Sequence, residues 1–414
     1  MSEAGSQPAL LAGVRVLELA ILGPNALGGH LVDLGAEVIK IEAPGGDYVR
    51  QMTWPIIEGD SLLHLHLNRG KESLVLNLKE VEGKALFERL VAESDVVIEG
   101  MRPGFLKRLG VGYDRLAEIN PKIVMCTISG YGATGPYANL PSHGIAYDAW
   151  SGALEPTVDG EGFCRIPNGP NIGIVVGPAF AALGICAALV RAEKTGIGAC
   201  MEIAQSDSAA YMDWYRIETY KAYDERPQSE VTGNATDDYE RRAPGLAGMW
   251  EGVRYQFYEC ADGHVLFMAS EQAFWKNFCE GIGRMDLFEK WPGKKLADHA
   301  RGNKELQSEL REIFKTKTSE EWVAFADEFN TTICPANTAQ TVRDDPQFED
   351  RFTWVDRSVT GADELLFPLH LEGEELPVPA RAPGVGQHTD QVLARVLGLD
   401  AAAVEDLRAK GAVA

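Results

Sequence analysis

Val14-Arg-Val-Leu-Glu-Leu and Val38-Ile-Lys-Ile-Glu are short β-rich runs, and the stretch between them, Leu27 to Leu34, reads as a helix. Strand, helix and strand in that order make a βαβ unit, the opening of a doubly wound sheet. Working outward, the alternation continues. Ser73-Leu-Val-Leu-Asn-Leu is strand-like, Glu80 to Ala92 helical, Asp95-Val-Val-Ile-Glu strand-like, Phe105 to Leu109 helical, and Lys122-Ile-Val-Met-Cys-Thr-Ile strand-like again. The expected class is α/β, with a Rossmann-like parallel sheet covered by helices on both faces.

Val175 to Ala192 is nearly continuous apolar sequence broken by Gly177, Pro178 and Gly184. It reads as a buried helix, and no window is expected to reach the length a bilayer span needs. Ala199-Cys-Met-Glu-Ile-Ala follows as a strand, and Ser206 to Tyr223 as one helix. Residues 1–225 are expected to form the N-terminal part of a large Rossmann-like domain and 226–251 a linker, rich in charge, Gly and Pro, with Thr232-Gly-Asn-Ala-Thr-Asp-Asp inside it. A small α/β domain is expected over 252–330, and 331–414 as a return segment completing the large domain. The small domain opens with the hairpin-like Tyr255-Gln-Phe-Tyr-Glu-Cys-Ala-Asp-Gly-His-Val-Leu-Phe-Met, where Asp262-Gly263 signals the turn. Ser319 is a candidate N-cap for a helix running to Phe329. Trp275 and Phe278 are assigned to the core.

The 414 residues carry a net charge of −22, whose field repels nucleic acid and anionic membranes but leaves room for a local cationic site. The seven cysteines lack CxxC or metal spacing, so reduced thiols, no metal and a cytoplasmic location are expected. Met1 to Leu10 shows no basic region followed by an apolar stretch, so no secretory signal is expected.

Several further strings occur in register: Leu34-Gly-Ala-Glu-Val-Ile-Lys-Ile-Glu-Ala-Pro-Gly-Gly-Asp, Leu67-Asn-Arg-Gly-Lys, Arg102-Pro-Gly-Phe-Leu-Lys-Arg-Leu-Gly and Ser129-Gly-Tyr-Gly-Ala-Thr-Gly-Pro-Tyr. Cys334-Pro-Ala-Asn-Thr, Asp345-Pro-Gln-Phe and Pro383-Gly-Val-Gly-Gln-His-Thr-Asp continue them. From about residue 11 to 410 their order resembles the class III CoA-transferases, the group of formyl-CoA transferase, carnitine CoA-transferase and the α-methylacyl-CoA racemases. The resemblance implies two subunits threaded through each other as interlocked rings. It also implies that acyl-CoA and a carboxylic acid are substrates, with CoA consumed as substrate and no separate cofactor.

Moving CoA between acids needs a carboxylate that attacks the thioester and carries the acyl group as a mixed anhydride. In the family this Asp lies ten or eleven residues before a Gly that corresponds to Gly184, which lands on Gly173 and Ile174. No acid lies between Glu161 and Glu193, so no catalytic residue is assigned. His143 resembles the racemase His, but Gly144 replaces its acidic neighbour. The first loop, Ala20-Ile-Leu-Gly-Pro-Asn-Ala, also departs from the usual Leu-Ala-Gly-Pro-Tyr, an adenine-side Arg is replaced by Ala43-Pro44, and no glycine run follows Phe267-Met-Ala-Ser-Glu-Gln. By the same resemblance CoA is assigned to Asn68, Arg69 and Lys71 in one Gly-containing turn, and to Met101, Arg102 and Arg108 in a second segment.

A chain with the ligand frame but no nucleophile is similar to the non-catalytic subunit of a heteromeric enzyme, succinyl-CoA:(R)-benzylsuccinate CoA-transferase. The partner expected is a homologous Asp-bearing subunit. Three alternatives stay open: a homodimeric transferase or racemase with a relocated acid (Glu202 or Asp207), a CoA-thioester lyase or hydrolase, and a non-enzymatic CoA-thioester-binding scaffold.

Overall fold

In the computed structural model, residues 7–231 and 243–414 are described. Met1 to Ser6 and the Thr232-Gly-Asn-Ala-Thr-Asp-Asp part of the expected linker lie outside them. The chain divides into two compact units, residues 1–213 with 352–414, and residues 214–351. The first boundary falls at 213 where composition suggested 225, and the return at 352 where it suggested 331.

The first unit is built on β1 (Arg15–Ala20), α1 (Asn25–Asp33), β2 (Glu37–Glu42), α2 (Leu62–Asn68), β3 (Glu72–Val75), α3 (Val81–Ala92), β4 (Val96–Gly100), α4 (Phe105–Arg108), α5 (Tyr113–Ile119), β5 (Val124–Ser129), α6 (Ala146–Ser151), α7 (Ile172–Thr195), β6 (Ala199–Ala204) and α8 (Gln205–Met212). The six strands are parallel in the order β6-β5-β4-β1-β2-β3. From β1 the chain runs outward one way through β2 and β3, then returns to the other side of β1 for β4, β5 and β6. The strand order reverses between β1 and β4, and open α/β sheets bind ligands at the carboxyl ends of the strands beside such a reversal.

Both faces of the sheet are buried. Val16, Val38, Val96, Ile98, Val124 and Ile128 pack with Leu27 and Leu31 of α1 and with Ala181, Ile185 and Ala188 of α7. On the opposite face Leu17, Ile39, Leu74, Val97 and Met125 pack with Leu86 and Leu90 of α3 and Leu116 of α5.

Three expectations need correction. Helix α7 runs over 24 residues with a mean hydropathy of 2.3, so by length and composition it is long and apolar enough to cross a membrane. Its Ala181, Ile185 and Ala188 are packed on the sheet instead. The helix expected over 206–223 is two helices, α8 and then α9 (Trp214–Glu225) in the second unit. The strand expected to reach Leu78 ends at Val75, after which Leu76 forms an isolated antiparallel bridge to Val413.

The second unit holds an antiparallel sheet of β7 (Gln256–Glu259), β8 (His264–Phe267) and β9 (Ile333–Pro335), order β7-β8-β9, with the expected hairpin between the first two. Between β8 and β9 come α10 (Gln272–Gly281), α11 (Met285–Lys290), α12 (Lys304–Phe314) and α13 (Ser319–Glu328). Its core is aromatic: Phe267, Trp275, Phe278, Phe314 and Trp322 are all fully buried. Each indole N–H is satisfied, Trp275 by the Trp291 carbonyl and Trp322 by the Phe314 carbonyl, both at 2.8 Å. Helix α13 is capped by Thr318 rather than Ser319, in a capping box with Glu321. The return segment ends in α14 (Thr389–Leu397) and α15 (Ala401–Ala409), whose Val392, Leu393 and Val404 join the first unit's core.

Candidate active site

The crevice at the strand reversal is bounded by the loop after β1, Ile21-Leu-Gly-Pro24, and the loop after β4, Met101-Arg-Pro-Gly104. The two meet closely at Gly100, where a Cβ would stand 2.6 Å from Ala20 Cβ and 2.8 Å from Pro24 Cβ, so only glycine fits. The first loop is also seated against α7. A Cβ on Gly23 would lie 3.5 Å from Ile174 Cβ and 3.6 Å from Gln205 Oε1. The reversal point, the start of α7 and the start of α8 therefore converge on one loop.

The second loop and α4, which follows it, present Met101, Arg102 and Arg108. Arg102 and Arg108 are exposed and Met101 is half-buried. Arg108 donates to the Pro103 carbonyl at 2.8 Å, and neither arginine has a carboxylate partner among the described residues. The loop is fixed from behind by Glu99, whose carboxylate accepts from Leu106 N at 2.7 Å and from Thr127 Oγ1 at 2.9 Å.

Asn68, Arg69 and Lys71 face the other way, which corrects the expectation that they offer donors to a phosphate. All three are buried. Lys71 Nζ donates to both oxygens of Glu18, at 2.9 and 2.7 Å, and to the Asn25 carbonyl at 2.7 Å. The Arg69 guanidinium grips Asp33 through Nε at 3.2 Å and Nη2 at 2.7 Å. Asn68 Nδ2 lies 3.0 Å from His64 Nδ1, and its Oδ1 accepts from Lys71 at 3.2 Å. The physical reason lies in the strands. Glu18, Lys40 and Glu42 point inward beneath α1 and α2, and buried charges must be paired. Gly28 in α1 makes room, since a Cβ there would stand 2.2 Å from Glu18 Oε1. Burial pulls the Lys71 ammonium down to about 8, with Glu18 opposing. Burial also works against the Glu42 carboxylate, but hydrogen bonds from Arg50 and Ser73 outweigh it and hold Glu42 at about 2.

Beside the first loop α7 starts at Ile172, and neither Gly173 nor Ile174 carries a titratable group. Pro178 lacks the N–H that the Ile174 carbonyl would otherwise receive. The tertiary structure nonetheless brings a carboxylate here that sequence reasoning missed. Asp148 on α6 is 1% exposed and accepts the Gly173 N–H through Oδ1 at 3.0 Å, and its Oδ2 is buried without a hydrogen-bond partner. Gln205 Oε1 is likewise buried and unpartnered. Tyr147, whose hydroxyl is raised by burial against hydrogen bonds with Ser142 and Gln205, closes the cluster. Asp148 precedes the acid-free stretch between Glu161 and Glu193, and only the packing of α6 against α7 brings it to Gly173.

Glu202 is not near this point. It is exposed on β6 in one cross-strand row with Glu99 and Thr127, on the sheet face opposite α7, and accepts from Ala133 N at 3.2 Å. That face carries a cavity of about 670 Å³ lined by Glu99, Lys107, Tyr113, Cys200 and Glu202 among others. Asp207 is exposed on α8, with its Oδ1 3.3 Å from Ser206 Oγ. Among the described residues no three His, Cys, Asp or Glu side chains group closely enough to hold a metal.

A doubly wound α/β unit with two exposed arginines at its strand reversal and a long apolar helix starting beside it defines a candidate binding protein for a phosphorylated ligand. The chain belongs to CoA-transferase family III, whose model matches residues 11–389. It is 30% identical over 92% of its length to a succinyl-CoA:mesaconate CoA-transferase of Haloarcula marismortui, covering 95% of that protein. It is 27% identical over 97% of its length to the succinyl-CoA–L-malate CoA-transferase beta subunit of Chloroflexus aurantiacus, covering 97% of that protein. Among solved structures, a CaiB/BaiF family protein from Brucella suis matches with a TM-score of 0.73 and 28% identity, covering 94% of this chain and all of the other.

Proposed function

We propose that this chain is one subunit of a heteromeric CoA-transferase. It would move CoA from an acyl-CoA such as succinyl-CoA to a carboxylic acid such as (R)-benzylsuccinate, in the cytoplasm, with the acyl-carrying aspartate on a homologous, interlocked partner. The observation that carries the reading is the start of α7, where Gly173 and Ile174 offer no side-chain carboxylate. A β subunit among the relatives supports a heteromer and a succinyl donor. The acceptor acid is carried by the resemblance alone. In this reading Met101, Arg102 and Arg108 lie along the nucleotide, the arginines pairing with phosphate, and Asn68, Arg69 and Lys71 support the frame from inside.

The test is co-purification from the native host with identification of the associated chain, followed by assay of CoA exchange between succinyl-CoA and (R)-benzylsuccinate. The expected result is no exchange by the isolated chain and exchange by the pair. Robust exchange by the isolated chain refutes the reading.

One observation favours a second reading, a homomeric transferase with a relocated acid. Asp148 accepts the N–H of Gly173, one of the two family positions, through Oδ1, and its buried Oδ2 has no hydrogen-bond partner. In that case the isolated chain turns over, and Asp148→Asn abolishes turnover while leaving CoA binding intact.

A further inference from the structure

We infer that the two buried lysines, Lys40 and Lys71, are positioning residues for the acyl end of the site: they clamp both ends of the Ile21–Pro24 loop and fix its seat against the first turn of α7. The inference rests on the proposed function for the nature of the ligand and deepens it by naming what sets the acyl subsite.

Lys40 Nζ donates to the Ala20 carbonyl at 2.8 Å and to Asn25 Oδ1 at 2.7 Å. Lys71 Nζ donates to the Asn25 carbonyl at 2.7 Å. Ala20 and Asn25 are the residues on either side of the loop, so each end is held by a fully buried ammonium. Each cation keeps its own carboxylate, Lys40 with Asp47 at 3.0 Å and Lys71 with Glu18 at 2.7 Å. Asn25 Nδ2 ties the two pairs together through Asp47 Oδ2 at 2.8 Å.

What lies between the clamps needs holding. Leu22 stands at φ +57°, the left-handed region that side-chain-bearing residues avoid and that persists only where the surroundings over-determine it. The following residue, Gly23, is the one that meets Ile174 and Gln205. A buried ammonium must satisfy three N–H groups, and each lysine directs one of them to a backbone carbonyl at a loop end, so the ion pairs and the loop are held by the same donors. Because Gly23 faces the α7 start, while Arg108 donates to its own loop at Pro103, release of the Ile21–Pro24 loop should alter recognition of the acyl group more than recognition of the nucleotide.

The test uses the full-length chain, with its partner where one co-purifies. Glu18→Leu/Lys71→Met removes both charges together, so no uncompensated buried ion remains, and Lys40→Met/Asp47→Leu is the second route should the first fail to fold. Titration calorimetry with CoA and with succinyl-CoA is combined with amide hydrogen exchange. The expected result is that the amides of Gly23, Asn25, Ala26 and Leu27 exchange about tenfold faster relative to those of β5. The preference for succinyl-CoA over CoA should drop about threefold or more while CoA affinity stays within about twofold. Arg102→Ala should weaken both ligands equally. Unchanged exchange overturns the inference, and so does a faster loop with wild-type ligand preference. A wild-type protein that binds neither ligand overturns the proposed function instead, and the exchange comparison then decides the positioning claim alone.

Discussion

On one face of strands β1, β2 and β3, Leu17, Ile39, Ile41 and Leu74 make an aliphatic layer. On the other face of the same strands Glu18, Lys40, Glu42 and Ser73 are equally buried, and the register places Glu18 beside Lys40 and Lys40 beside Ser73. The aliphatic face is non-directional: it gains from area removed from water and tolerates exchange of one apolar shape for another. The ionic face is directional. Each of its charges is acceptable only while its named partner stays in place, so the positions of α1, α2 and the loops above are fixed by hydrogen-bond geometry. The difference teaches why the ligand-side loops sit over the ionic face. Close packing supplies stability on one side, and directional pairing supplies placement on the other.

The comparison is broken most severely by Lys71→Met, which leaves Glu18 buried without its cation. It should destabilise the first unit by about 4 kcal/mol in denaturant unfolding, and adding Glu18→Leu should recover most of that loss. Leu17→Ala on the opposite face should cost about 3 kcal/mol through lost burial and a residual cavity, and no second substitution of one partner should rescue it.

Glu364, in the return segment, sharpens the contrast through pH. It is almost fully buried, neither oxygen has a hydrogen-bond partner, and Arg69 Nη1 stands 3.6 Å away. Burial, opposed by Arg69 and reinforced by Asp33, raises its carboxyl from 4.5 to about 7. The folded state therefore binds the extra proton between pH 4.5 and 7, and stability falls as pH rises through that window. Glu364→Gln should stabilise the protein by on the order of 2 kcal/mol at pH 8 and change little at pH 4.5, as read from thermal melts at both pH values. His30, His64 and His66 act in the opposite sense. Burial first, and then neighbouring arginines, lower each to about 4, so stability is lost as pH falls from 6.5 towards 4. The smallest effect is expected for Ser73→Ala. It removes the 2.6 Å bond to Glu42 and the 2.8 Å bond from Gly386 N, and should cost about 1.5 kcal/mol in the same unfolding experiment.

Much of the fold was legible because strand and helix periodicity is local. The βαβ opening, the later strands of the sheet, the hairpin around Asp262-Gly263 and the aromatic core around Trp275 and Phe278 all follow from short-range pattern. The break at Asp213 was not legible, because both halves of 206–223 are helix-compatible. The α13 cap was misplaced by one residue, since Thr318 and Ser319 are both good caps and only geometry chooses. The site divided in the same way. Arg102 on its loop and Arg108 at the end of α4 lie exposed. Asn68, Arg69 and Lys71 are turned inward, because a cation in a turn reads alike whether it faces solvent or a buried acid.

By itself the sequence determined the class of fold, the family, and the lack of an acid at Gly173 and Ile174, since these depend on residue identity and order. Only the tertiary structure decided that the charged residues of β1 and β2 lie inside, and that Asp148 reaches the start of α7. Strand alternation says which residues share a face but not what covers it, and a contact between separate helices exists only once the chain has packed.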